Sequence, residues 1–183
     1  AYVDDLENVV FQESLGTTRA KVSRIEALAG VLAAATGLSD SDIAEAKRAA
    51  FLAKADLVTS AVVEFTSVQG IMGSYYAKAA GETEQVAQAI ADQYRPRFAG
   101  DDLPESVVGM CVAAADKLDT ICGLFAVGQG PTGSSDPFAL RRQSIGIIAM
   151  LQAGLNISLA DAIDFALDSY QKQGIAFDKA EAR

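Results

Sequence analysis

The segment from Gly128 to Arg142 reads GQGPTGSSDPFALRR. Its first eight residues have the spacing G-x-x-x-x-G-S-S, close to a phosphate-binding loop. Such a loop needs a lysine after the second glycine, to set an ammonium on the β and γ phosphates, and a strand before it. Ser134 stands in the lysine position, and residues 107–128 carry helical rather than strand spacing. The segment therefore reads as a turn. Its glycines relax the backbone, Asp136 caps the next helix and Pro137 takes the first helical position. Arg141 and Arg142 then project from the second turn, where the positive end of the helix dipole gives them no stabilisation. Pairing with an acid, Asp116 or Asp119, is expected ahead of pairing with an external anion such as RNA phosphate.

Asp116 and Asp119 lie three residues apart, near one helix face. Two carboxylates so placed do acid–base chemistry when one is buried and its pKa rises. Ion pairing with Lys117, Arg141 or Arg142 is preferred, because no nucleophile and no set of metal ligands accompanies them. The chain has no histidine, which removes the commonest general base and the commonest metal ligand together. No catalytic residue and no metal ligand is assigned. Asp56 and Glu64 sit in an apolar stretch and need partners; Lys54, Arg48 or a backbone cap would serve. Arg95 and Arg97 flank Pro96 in an exposed turn and, with Arg141 and Arg142, form a candidate RNA-binding surface. Arg19, Lys21 and Arg24 read as a solvated helix face. Of Tyr75 and Tyr76, one ring is expected in the core and one at its rim, where it could stack on a base.

The elements that must position these residues are helical. Val22, Ile25, Leu28, Ala29, Leu32 and Ala33 recur at spacings of three and four, capped by Thr17 or Thr18 and closed by Gly37. Ser39 opens a second helix, with acids in its first turn. The run 43–65 is core, as two helices broken near Asp56. GETEQVAQAIADQYRP is amphipathic and stops at Pro96. Pro104 starts a helix reaching about Phe125, another runs from about Pro137 to Ala153, and Ser158 with Asp161 caps a last one near 159–172. No strand ladder and no repeat stands out. The expectation is an all-α bundle of about seven to nine helices over residues 1–172, followed by a polar tail at 173–183 that frays.

Half of the residues are apolar and the formal net charge is −9. An acidic chain repels DNA and RNA at long range, so any basic patch does not act alone. If one helix carries Cys111 and Cys122, they sit ~16 Å apart along its axis, beyond disulfide reach. They read as buried thiols of a reducing compartment. No run of ~20 apolar residues suggests a membrane span, and a cytoplasmic location is expected. The chain opens on AYVDD without methionine, as an excised or processed chain would.

Four blocks together carry a resemblance: LAKADLVTSAVVEFTSVQGIMGSYYA (52–77), QYRP (93–96), ADKLDTICGLFAVG (115–128) and GPTGSSDPFALRR (130–142). They resemble the β subunit of bacterial-type glycyl-tRNA synthetase, over about Val9 to Leu151. The resemblance implies an internal piece of a longer subunit, folded as a helical domain related to the HD phosphohydrolases. Those enzymes hold a metal with a histidine, a His-Asp pair and a distant aspartate. Ala53 and Lys54, or on a shifted register Ala55 and Asp56, fall on the pair, and Asp116 resembles the last ligand. The degenerate positions are thus Ala53, Lys54, Asp56 and Asp116, a site without imidazoles. Gln93 stands where the family carries histidine, and Ser135 where it carries lysine. The implied partners are the α subunit, tRNA(Gly) and other domains of the β subunit, with no membrane and no DNA. The parent would use ATP to glycylate tRNA, while this region binds no cofactor and is inactive alone. The alternatives are a residual metal-dependent phosphohydrolase and a pure intersubunit scaffold.

Overall fold

The computed structural model describes residues 2–183. A short helix α1 (Tyr2–Asp5) and a hairpin of β1 (Val10–Gln12) and β2 (Gly16–Thr17) lead into α2 (Thr18–Ala35). The strands are too short for a period-two pattern to register. The remaining helices are α3 (Asp40–Leu52), α4 (Ser60–Glu64), α5 (Ile71–Ala79), α6 (Glu84–Asp92), α7 (Val107–Ala126), α8 (Leu140–Gln152), α9 (Leu159–Lys172) and α10 (Lys179–Ala182). Among the described residues the architecture is all-α apart from the hairpin.

The expected caps recur. The side chains of Thr17, Ser39 and Ser158 accept the amide N–H three residues ahead, and Gly37 closes α2 at φ 77°. Thr83 caps α6 in the same way, a cap not among those expected. The break near Asp56 is a 3-10 turn, Ala55–Val58. Two proline-based starts are corrected. Ser106, not Pro104, opens α7, and its hydroxyl accepts the Gly109 amide. Pro137 lies outside α8. Asp136 still caps that helix, accepting Leu140 N–H at 2.7 Å and Arg141 N–H at 3.0 Å, behind Ala139 at φ 54°.

Helix α7 is the axis of the bundle. It is buried on nearly every face, and α2, α3, α6, α8, α9 and α10 pack on it. The alanines 113–115 and both cysteines are buried there, so neighbouring helices approach closely. Burial pushes the thiols up, Cys111 to about 11 and Cys122 to about 12. A second cluster of Leu15, Leu124, Leu140 and Tyr170 closes one end.

Residues 173–183 turn back onto the bundle. Gln173 donates to the Leu15 carbonyl at 2.9 Å, and Phe177 packs against the core. Lys179 reaches Asp168 at 2.6 Å and Arg183 reaches Asp164 at 3.1 Å. Polarity alone suggests fraying, but these charges meet acids of α9. Among the described residues no helix is long and apolar enough to cross a membrane.

Candidate functional site

Ala53, Lys54, Asp56 and Asp116, the positions of the HD resemblance, are all buried, and each is held by protein contacts. Asp56 meets the start of α5 from 14 residues before Gly70. Its Oδ2 accepts the amides of Gly70 at 2.6 Å and Gly73 at 3.0 Å, so it caps α5 from outside. Burial pushes its pKa up, and the two amides and Lys54 oppose that. Glu64, expected like Asp56 to lie in an apolar stretch and need a partner, is exposed instead. Ala53 offers only a buried methyl. The fully buried Gln93 donates to the carbonyls of Ala53 and Ile90, pinning the turn after α6 to the end of α3.

Asp116 is ringed by cations. Lys54 Nζ lies 2.8 Å from Oδ2. Lys21 Nζ lies 3.0 Å from Oδ1, in ion-pair range but without hydrogen-bond alignment. Burial alone would raise the Asp116 pKa. The two ammonium groups outweigh it and hold the carboxyl well below the usual range. One turn on, Asp119 Oδ1 accepts Arg24 Nε at 2.7 Å. Its Oδ2 accepts Lys21 at 3.1 Å, Arg24 Nη2 at 3.2 Å and the Tyr170 hydroxyl at 3.0 Å. Thr120 accepts a further bond from Lys21 at 2.8 Å.

This corrects two expectations. Lys21 and Arg24 are not a solvated face; they are 4% and 6% exposed. They, with Lys54, are the partners of Asp116 and Asp119, and Arg141 and Arg142 are not. The signal was available in the helix period. Lys21 lies on the same stripe as Ile25, Leu28 and Leu32, at offsets of four, seven and eleven. Its charge points to the surface, but its helical period places it in the core.

The four candidate arginines do not form one free surface. Arg95 pairs with Asp92 at 3.2 Å, Arg97 with Asp101 at 2.9 Å, and Arg141 donates to the Gly133 carbonyl at 2.9 Å. Arg142 is exposed, and no ion pair or hydrogen bond holds it among the described residues. Tyr75 and Tyr76 are both on the surface, 65% and 39% exposed, so neither ring enters the core. The glycine-rich loop closes on itself. Thr132 and Ser135 exchange backbone hydrogen bonds at 3.0 and 2.8 Å, which takes up amides that a phosphate cradle would need.

A metal of the kind the HD resemblance implies does not fit these residues. A cation at Asp116 would sit between two ammonium groups, and the neighbouring positions supply a methyl and a carboxylate facing away into α5. Among the described residues no three histidine, cysteine or acidic side chains gather as ligands.

Lys117, expected from the sequence as an ion-pair partner of Asp116 and Asp119, makes no such pair. It is 4% exposed. Its Nζ donates to the Arg95 carbonyl at 2.8 Å and lies 3.5 Å from that of Gln93, with no carboxylate in ion-pair range. Burial pulls its pKa down to about 8, Asp116 resists, and Lys54 and Lys21 add to the fall. Because the folded value lies below the unfolded one, the unfolded chain holds more protons above pH 8, and stability rises with pH there. The buried thiols act oppositely once unfolded cysteine ionises near pH 9. Between pH 7.5 and 9, Lys117 should therefore add about 1 kcal/mol of unfolding free energy. Urea unfolding of Lys117→Met against the parent should show that increment lost. Parallel profiles for the two would refute it.

The comparisons with known proteins agree with this helical piece. Residues 1–182 match the family model described as glycyl-tRNA synthetase beta subunit. A glycine–tRNA ligase beta subunit from Haemophilus influenzae is 51% identical over 168 residues, covering 91% of this chain and 23% of that protein. Its namesake from Vibrio vulnificus is 51% identical over 169 residues, 92% of this chain and 24% of that one. The one from Actinobacillus pleuropneumoniae is 46% identical over 203 residues, 97% and 29% respectively. The chain thus spans about a quarter of the length of these relatives. It belongs to the glycyl-tRNA synthetase beta subunit family.

Proposed function

We propose that this chain is a non-catalytic, HD-related region of a glycyl-tRNA synthetase β subunit. It contributes tRNA(Gly) contacts and subunit assembly to a cytoplasmic ligase that glycylates tRNA with ATP. The observation that carries this is the ammonium-filled site. Lys21 and Lys54 neutralise Asp116, so neither a hydrolytic metal nor a free general base remains there. What is left to the region is recognition. Arg95, Arg97, Arg141 and Arg142 are the candidate phosphate contacts, and the α subunit and other β domains the protein partners.

A pure scaffold is the second reading, and a specific feature favours it. Phe98, Ile145 and an alanine-lined groove of about 570 Å³ lie beside Arg141, and Ile148 is half exposed on the same helix. Such an apolar patch suits another protein surface.

The test is tRNA binding by the intact protein that carries this region, at two salt concentrations. Arg97→Glu with Arg141→Glu should weaken binding about tenfold and shallow the salt slope by about two, because each phosphate contact releases a counterion. Glycine- and ATP-dependent pyrophosphate exchange should not change. Unaltered tRNA affinity would leave the scaffold. Stoichiometric metal with phosphodiester turnover would instead revive the hydrolase.

A further inference from the structure

A cleft of about 700 Å³ opens between the turn after α6 and the start of α8. Lys21, Lys54 and Lys117 line it from below, and Arg95, Arg97 and Arg142 from the sides; Asp92 and Asp116 are its carboxylates. In a chain of net charge −9, this concentration of cations is against the background.

The pairing leaves a surplus. Four buried cations, Lys21, Arg24, Lys54 and Lys117, face the two carboxylates of Asp116 and Asp119. Asp56 lies outside the cleft lining and turns Oδ2 to the α5 amides; even with it ionised, four cations meet three acids. At the rim, Asp92 holds Arg95 and Asp101 holds Arg97, so those two are balanced. Neither Lys117 nor Arg142 has an acid in ion-pair range among the described residues; Asp116 acts on Lys117, and Asp136, already bonded to the α8 amides, acts on Arg142, only through space. For Lys117, which is buried, a missing ion-pair partner is costly, and a protein keeps such a charge where something supplies the partner.

The two unmatched cations are aimed together. Helix α8 rests on Lys117: a Cβ at Gly146 would stand 3.2 Å from Lys117 Cε and 3.1 Å from Pro96 Cγ. Arg142 lies four residues earlier, on the same face. Helical side chains lean toward the N-terminus, which carries the guanidinium over the cleft that Lys117 floors.

We propose that this cleft binds a phosphate group, with Arg142 as the entry contact and Lys117 as the buried one. The guanidinium suits two phosphate oxygens at once, and the ammonium acts as a point charge behind them. Lys117 remains largely protonated at neutral pH, as the site requires. The proposal stands on the charge balance of the cleft and does not need the region to face tRNA.

The test uses the intact protein carrying this region. Two probes are titrated by calorimetry: inorganic pyrophosphate, and a short 5′-phosphorylated RNA. Saturable binding of at least one is expected, with Arg142→Glu weakening it tenfold or more. Lys172→Glu, an equal charge change on exposed α9, should shift it less than twofold. Binding of pyrophosphate that the RNA cannot match would identify a free phosphate ester as the source. Binding of RNA alone, lost in Arg142→Glu, would identify a nucleic-acid phosphate. Absence of binding by both probes overturns the proposal. So does equal weakening by Arg142→Glu and Lys172→Glu, which marks a diffuse field. Arg142 is exposed, so an unchanged melting temperature shows that its variant is folded. If the cleft fails while Arg97→Glu with Arg141→Glu still weakens tRNA, the phosphate site alone is wrong.

Discussion

Asp119→Ala is expected to destabilise the fold by about 4 kcal/mol. Asp119 is 1% exposed. Its two oxygens hold Lys21, two of the three Arg24 guanidinium nitrogens and the Tyr170 hydroxyl. Removing it leaves an ammonium and a guanidinium buried, with Asp116 as the one remaining acid between them and Lys54. That penalty far exceeds the modest net worth of the intact pair, because the lost partner cannot be replaced by water. The same argument predicts little from the surface. Asp164→Ala removes the exposed pairs to Lys179 and Arg183 and should cost less than about 1 kcal/mol. Urea unfolding of both variants decides it. Comparable losses in the two would mean that burial of the α2–α7 pairs carries no special cost.

Gly123→Ala is the second large effect, and two terms oppose each other in it. Alanine is the better helix former by about 1 kcal/mol, so α7 alone would gain. Packing runs the other way. A Cβ at Gly123 would overlap the Tyr170 phenol and stand 2.9 Å from Leu15 Cδ1. Tyr170 cannot retreat, since it is fully buried and its hydroxyl bonds Asp119 and accepts from Arg24. Overpacking of this kind costs about 3 kcal/mol, so a net loss of about 2 is expected. Pairing it with Tyr170→Phe removes the overlapped oxygen and should recover part of the loss, a coupling of about 1 kcal/mol in a double-mutant cycle. A net gain in Gly123→Ala would show that α7 and α9 are not held this close.

The same residue governs both results. Tyr170 links α9 to the α2–α7 ion network, and Gln173 extends the link by accepting from Arg24 and donating to Leu15. The C-terminal segment is thereby tied to the region around Asp116. Substitutions far along the chain from Asp116 can shift the cations that surround it.

Much was determined by the amino-acid sequence alone. Apolar spacing placed the long helices, and Ser39 and Ser158 announced their starts, because capping is chemistry within one turn. The missing histidines ruled out the imidazole ligands of a metal site, since no fold can supply a side chain the chain lacks. The blocks at 52–77 and 115–142 carried the family. Only the tertiary structure decided which charges meet. Lys21 and Arg24 reach Asp116 and Asp119 across nearly a hundred residues, and Lys54 reaches Asp116 across sixty-two. Pairing at such separation depends on how α2 and the turn after α3 lie on α7, which no local pattern records. Arg141 and Arg142 looked like the natural partners because cations at the start of a helix need an acid to hold them. Packing gave those acids to buried cations instead, and left Arg142 facing open water above Lys117.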